Sequence, residues 1–151
     1  IDATSDINRR YGLAISAFNK LEKIFNSRTV SLFTKLRIFY AYVGSIFLYN
    51  SELWTTNVLI NNKIDVIQRN FLRKILNIRW PKTIRNGRLY SITKRKNWSL
   101  TIRQRAFSWL EHLLRLNDQP LARKALAEYL KARKRLTGRP KETWISMVKI
   151  L

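Results

Sequence analysis

Cysteine is absent from these 151 residues, so neither a disulfide nor a thiolate zinc site can form. A reducing compartment is allowed by that absence without being required by it. Glycine and proline are scarce, at four and three, and the glycines at 12, 44, 87 and 138 are isolated, which excludes a phosphate-cradling glycine-rich loop. There is one histidine, His112, so a histidine-rich metal site and a histidine pair for acid–base chemistry are both excluded. Carboxylates number nine and no two fall within two positions of each other, whereas phosphoryl-transfer enzymes gather acids around divalent metals. The longest uncharged run, Ile38 to Ser51, has 14 residues and is shorter than the roughly 18 to 20 that span a bilayer, so no membrane partner is expected. The first ten residues are polar, which is unlike a secretory signal. Ile1 stands where an open reading frame would begin with methionine, and Met147 is the only methionine, so the chain reads as an excised piece.

What is present in excess is positive charge. Thirty Lys and Arg against nine Asp and Glu give a net charge of +21, which repels itself in a compact chain unless a polyanion neutralises it. With 46% hydrophobic residues the chain can bury a core, and nucleic acid, RNA or DNA, is the expected partner.

Apolar residues recur at spacings of three and four, so the fold class is all-α. The first helix is expected from Thr4–Asp6 to about Asn26, with Ile7, Tyr11, Ala14, Phe18, Leu21 and Phe25 on one stripe and Arg9, Ser16, Lys20 and Lys23 opposite. That basic face fits phosphate contact or ordinary solvation. Ser31 caps a second helix to about Tyr49 that is apolar around nearly its whole circumference, hence central. A third runs from about Val58 to Ile78, with Ile60, Ile64, Ile67, Phe71, Ile75 and Ile78 on one side and Arg69 and Arg73 on the other. Trp80 and Pro81 are expected to end it. Three such helices make a compact bundle.

Residues 1–78 hold 11 cations against 5 acids, and residues 79–151 hold 19 against 4. The shift places a boundary after Ile78. Residues 79–98 are read as a basic linker or arm and residues 99–151 as a smaller, basic, truncated helical segment. In that second part Lys94, Arg95 and Lys96 precede Trp98, and a helix from about Ser99 to Leu116 carries Arg105, Ser108, His112 and Arg115 on its polar side. Cations interleaved with rings suit phosphate neutralisation and base stacking; Trp80, Trp98, Trp109 and Trp144 invite the stacking reading, with Trp109 and Trp144 assigned to packing and Trp98 left as the best stacking candidate. His112 fits a phosphate contact or an ordinary surface role. Pro120 suits the first turn of a further helix, and Lys131, Arg133, Lys134 and Arg135 form a basic cluster beyond it. Arg139 and Lys141, in Thr137-Gly138-Arg139-Pro140-Lys141, fit a helix linker or an arm entering a narrow minor groove.

Five segments, in order, resemble the region downstream of the palm in non-LTR (LINE-like) retrotransposon reverse transcriptases. INRRYGLAISAFNKL (Ile7 to Leu21) resembles the family's helix with paired Arg and Ala-Phe-x-x-Leu. SLFTKLRIFYAYVGSIFLYNSELWT (Ser31 to Thr55) resembles its Thr-Lys-Leu-Arg helix ending in Leu-Tyr-Gly-x-Glu-x-Trp, and IDVIQRNFLRKILNIRWP (Ile64 to Pro81) its Gln-Arg-x-x-Leu-Arg-x-Ile helix. RQRAFSWLEHLLRL (Arg103 to Leu116) and GRPKETW (Gly138 to Trp144) resemble the Arg-x-Trp-Leu-Gly-His-x-x-Arg and Gly-Arg-Pro-x-x-Thr-Trp signatures. Asn50 and Glu111 stand where the family usually has glycine.

The resemblance implies a thumb and the basic extension after it, gripping template–primer and the element's RNA or target DNA, with the remainder of the polypeptide as a further partner. The palm's Tyr-x-Asp-Asp carboxylates are not in this sequence. Polymerase chemistry, and the magnesium it uses, are therefore expected outside this chain, which by itself is expected to catalyse nothing and to need no cofactor. A nuclear or cytoplasmic location is implied on the same ground. The competing readings are a stand-alone basic DNA-binding or architectural protein and a metal-dependent nuclease with a site assembled by folding.

Overall fold

The computed structural model describes residues 3–115 together with 121, 124, 125, 127, 128, 143 and 144. The described residues contain helices and no strand, the all-α class expected. Helix α1 (Ala3–Lys20) buries Ile7, Ala14 and Phe18 of the expected stripe together with Ala17, and Tyr11 is half-buried against the same core. It stops at Leu21 rather than running on, and the single turn α2 (Glu22–Asn26) folds Phe25 back onto Phe18 with ring centroids 4.6 Å apart.

Ser31 caps the next helix as its position foretold: its side chain accepts from the Thr34 N–H at 3.2 Å. That helix has three parts: α3 (Leu32–Ile38), a π-helical stretch Phe39–Gly44, and the short α4 (Ser45–Phe47). The Ser45 hydroxyl donates to the Ala41 and Tyr42 carbonyls where the hydrogen-bond ladder changes step. Phe39, Val43 and Phe47 are fully buried, so the helix is central, although Tyr42 and Tyr49 reach solvent.

Asn50 has a left-handed backbone, φ 56, leading into a 3₁₀ turn Ser51–Leu53. Glycine is favoured in that region and asparagine tolerates it. Glu111 lies exposed inside a helix.

Helix α5 (Val58–Ile75) begins at Asn57, whose side chain accepts from Ile60 N–H at 2.8 Å, and buries Ile64, Ile67, Phe71 and Ile75. Its end corrects the expectation that Trp80 and Pro81 terminate it. Asn77 is left-handed, φ 53, and N–H groups of Asn77 and Ile78 return to the carbonyls of Lys74 and Arg73, so a local cap closes the helix before Trp80.

The expected break after Ile78 is also corrected. Asn86–Thr93 form a helix, α6, and Leu89 from it, with Trp98 and Ile102 from α7 (Trp98–Arg115), belongs to the same core as Ile7, Phe39 and Phe71. Residues 79–98 are therefore not a free linker. Burial of a few large side chains fixes them, outweighing a local composition that reads as an arm.

Polar bonds lock α7 onto α5. Asp65, buried, accepts from Ser99 N–H (3.0 Å), Ser99 Oγ (2.7 Å) and Asn97 Nδ2 (3.3 Å), and Gln68 Oε1 accepts from Trp98 N–H (2.8 Å). The unsatisfied N–H groups that open any helix are thus met by side chains from a neighbouring helix. Beyond α7, Leu121, Lys124, Ala125, Ala127 and Glu128 are helical. Trp144 packs on Ala106, and its indole N–H donates to the Glu52 carbonyl at 2.6 Å.

Candidate nucleic-acid interface

Between Asp65 and Glu111 the sequence contains no acid and twelve Lys or Arg. Folding lays this stretch along the second half of α5, the connection to α6, α6 itself, the turn at 94–97 and the first turns of α7. Among the described residues the ion pairs are those of Arg9 and Arg10 with Asp6, at 2.7 and 3.7 Å, so this stretch keeps its charge without a carboxylate partner there.

Part of that stretch is organised around two tyrosines. Gln68, itself fully buried, donates to the Tyr40 hydroxyl (3.0 Å) and to the Lys96 carbonyl (3.0 Å), and accepts from the Tyr90 hydroxyl (3.4 Å). The Arg95 guanidinium lies 4.6 Å from the centroid of the Tyr40 ring, and Arg69 lies against the Tyr90 hydroxyl. Arg73 donates to Asn86 Oδ1 at 2.7 Å, which carries the strip to the start of α6. Two predicted residues, Arg69 and Arg95, thereby flank the tyrosines that Gln68 holds, while Arg73 is tied separately to Asn86. Lys94, with a left-handed backbone, and Lys96 are exposed on either side of Arg95 in sequence.

Burial pushes Tyr40 up to about 12, against the opposing hydrogen bond from Gln68 and the charge of Arg95. Burial also raises Tyr90. An unfolded chain ionises tyrosine near pH 10 while folded Tyr40 keeps its proton to about pH 12, so its contribution to stability is whole below pH 10 and is lost as pH rises through that window. Denaturant unfolding of Tyr40→Phe should show a shallower loss between those limits than wild type, by about 2 kcal/mol. Parallel curves for the two proteins would contradict the buried, protonated phenol.

The other predicted residues are distributed differently. Trp98, the expected stacking residue, is 1% exposed and lies between Phe47 and Phe39, with centroids at 4.6 and 5.9 Å. It is core, and the assignment to base stacking is corrected. Its place one helical turn before Ile102 puts it on the apolar stripe of α7. Arg9 is paired with Asp6. Burial raises the Asp6 carboxyl, but hydrogen bonds from Trp54 (2.9 Å) and Arg9 and the charges of Arg10 and Arg9 outweigh it, leaving a lowered pKa.

Lys20 and Lys23 are exposed on α1 and α2, and Lys20 borders a groove with Arg10, Tyr42 and Tyr49. Arg105 ties α7 to the preceding helix by donating to the Leu48 carbonyl at 2.8 Å. His112 stacks on Trp109, centroids 5.7 Å apart, in an open groove that includes Glu52, Arg105 and Ser108. Arg115 lies exposed at the end of α7. Lys131, Arg133, Lys134, Arg135, Arg139 and Lys141 lie outside the described residues.

Local reading passed over Lys82, Arg85 and Arg88 as candidates; all three are exposed around the start of α6. The acid-free span from 66 to 110 is the sequence signal that marks them. Among the described residues no three His, Asp or Glu side chains converge as metal ligands. No helix of the described residues is long and apolar enough to cross a membrane. No family model, curated protein or solved structure matches the chain.

Proposed function

We propose that this chain is the thumb and basic C-terminal region of a non-LTR retrotransposon reverse transcriptase, an RNA-directed DNA polymerase, and that it grips template–primer and element RNA or target DNA by their phosphates. The observation that carries the reading is the acid-free run from 66 to 110, whose cations have no carboxylate partner among the described residues. Phosphates supply the missing counter-charge, and release of their condensed ions supplies the free energy. Cations spread over several helices track a backbone and read little base sequence.

The second, fourth and fifth motif segments support the narrower reading by meeting in one place. The stretch Leu48 to Trp54 receives Arg105 at the Leu48 carbonyl and Trp144 at the Glu52 carbonyl, and sends the Trp54 indole N–H to Asp6. Gln68 of the third segment holds the start of α7. Residues from separated motifs thus serve one scaffold, and the left-handed Asn50 occupies a family glycine position. In this reading catalysis and its magnesium belong to the palm, the chain alone polymerises nothing, and the protein works in the nucleus or cytoplasm.

Fluorescence anisotropy of the chain with duplex DNA and RNA–DNA hybrid, between about 50 and 200 mM salt, should show affinity falling steeply, with a log–log slope equivalent to several phosphates. Binding that ignores salt would contradict the phosphate grip.

A further inference from the structure

We infer that Trp80 is a stacking platform for an unpaired nucleobase, set beside the phosphate grip; the inference rests on the nucleic-acid reading above. Trp80 is 89% exposed, the most exposed large hydrophobic side chain described, whereas Trp54 and Trp98 are buried. It adds nothing to the core, and a bare indole in water is unfavourable for the isolated protein. Trp80 lies in the connection between α5 and α6, in a turn where Lys82 N–H donates to the Arg79 carbonyl at 2.9 Å. Exposed Arg79, Lys82 and Arg85 surround it in sequence, and the nearest acids along the chain are Asp65 and Glu111.

These features select the occupant. A cationic surroundings repels a basic partner and draws a polyanion, while the flat indole accepts the face of any base without reading its edge. Bases in a duplex are already stacked on their neighbours, so the ligand that gains from Trp80 is an unpaired stretch of RNA or DNA whose phosphates pass over Arg79 and Lys82. The site would add preference for single strands to a grip that is otherwise indifferent to strand type.

The test uses the full chain, wild type, Trp80→Ala and Trp80→Phe, with oligothymidine and oligouridine of about 20 nucleotides, a duplex of equal length and an abasic strand. Trp80→Ala should bind both single strands roughly 5- to 100-fold more weakly. Trp80→Phe should recover most of that loss, and the duplex and the abasic strand should bind all three proteins alike. Unchanged single-strand affinity in Trp80→Ala, with wild type still binding in a salt-dependent way, would overturn the stacking site and leave the phosphate grip standing. A loss of equal size on duplex and abasic strands would overturn it as well, since no base would then be involved. Wild type that binds none of the four would overturn the phosphate grip and this inference together.

Discussion

Trp98→Ala is expected to cost about 3 to 5 kcal/mol of folding stability, the largest effect of any single substitution considered for this protein. The indole is fully enclosed and sits where three elements meet. It stacks on Phe47 at 4.6 Å and an interplanar angle of 17°, on Phe39 at 5.9 Å, and tilts against Phe71 at 6.4 Å. Truncation leaves a cavity between the π-helical stretch, α5 and α7 that the surrounding rings cannot fill without leaving their own contacts. The indole N–H has no partner among the described residues, so Trp98→Phe abandons no hydrogen bond there and should cost much less than alanine. Denaturant midpoints for the two variants check this. A cost below about 1 kcal/mol for alanine would contradict burial and return Trp98 to the surface.

Much of this fold was legible in the sequence, and the places where it was not have physical causes. Ser31 announced its helix because a capping hydroxyl acts within three residues, and α5 showed its face because Ile64, Ile67, Phe71 and Ile75 repeat at helical spacing. The end of α5 was misplaced because a left-handed Asn77 closes a helix as firmly as a proline does, yet asparagine is common in many other settings. Helix α6 offers the core only Leu89 and Thr93, too few for a periodic signal, and its position is set by partners far away in sequence.

Trp98 was misread through its neighbours. Three cations at 94–96 suggested a binding loop, but the residue also falls four before Ile102, and the stripe outweighs the neighbourhood because burying an indole is worth more than exposing it beside lysines. For the candidate site, residue-by-residue reading singled out Arg69 and Arg95 but not the bonds by which Gln68 joins the tyrosines they flank, Tyr90 and Tyr40, since those bonds cross between helices. Arg105 and Arg9 were legible as cations but not as structural ties.

Replacing Lys82, Arg85, Arg88 and Lys96 together by alanine should weaken duplex and single-strand binding on the order of 10²- to 10³-fold near 0.1 M salt. All four side chains are exposed and none supports the core, so thermal unfolding should stay close to wild type. That separation is what a phosphate grip requires: charge lost, fold kept. It is the opposite of Trp98→Ala, which should lose stability and retain every cation. A quadruple variant that melts early would mean that these residues hold α6 in place, and its weaker binding would then say nothing about contact.

Nucleic-acid phosphates should meet the cations of the acid-free stretch from α5 to α7, and the difference in salt slope between wild type and the quadruple variant tests this most directly. Each phosphate contact removed should lower the log–log slope on duplex DNA by about 0.9, so loss of all four contacts should lower it by roughly 3 to 4 in a protein of unchanged melting temperature. An identical slope and affinity in the two proteins would show that this surface does not carry the contact.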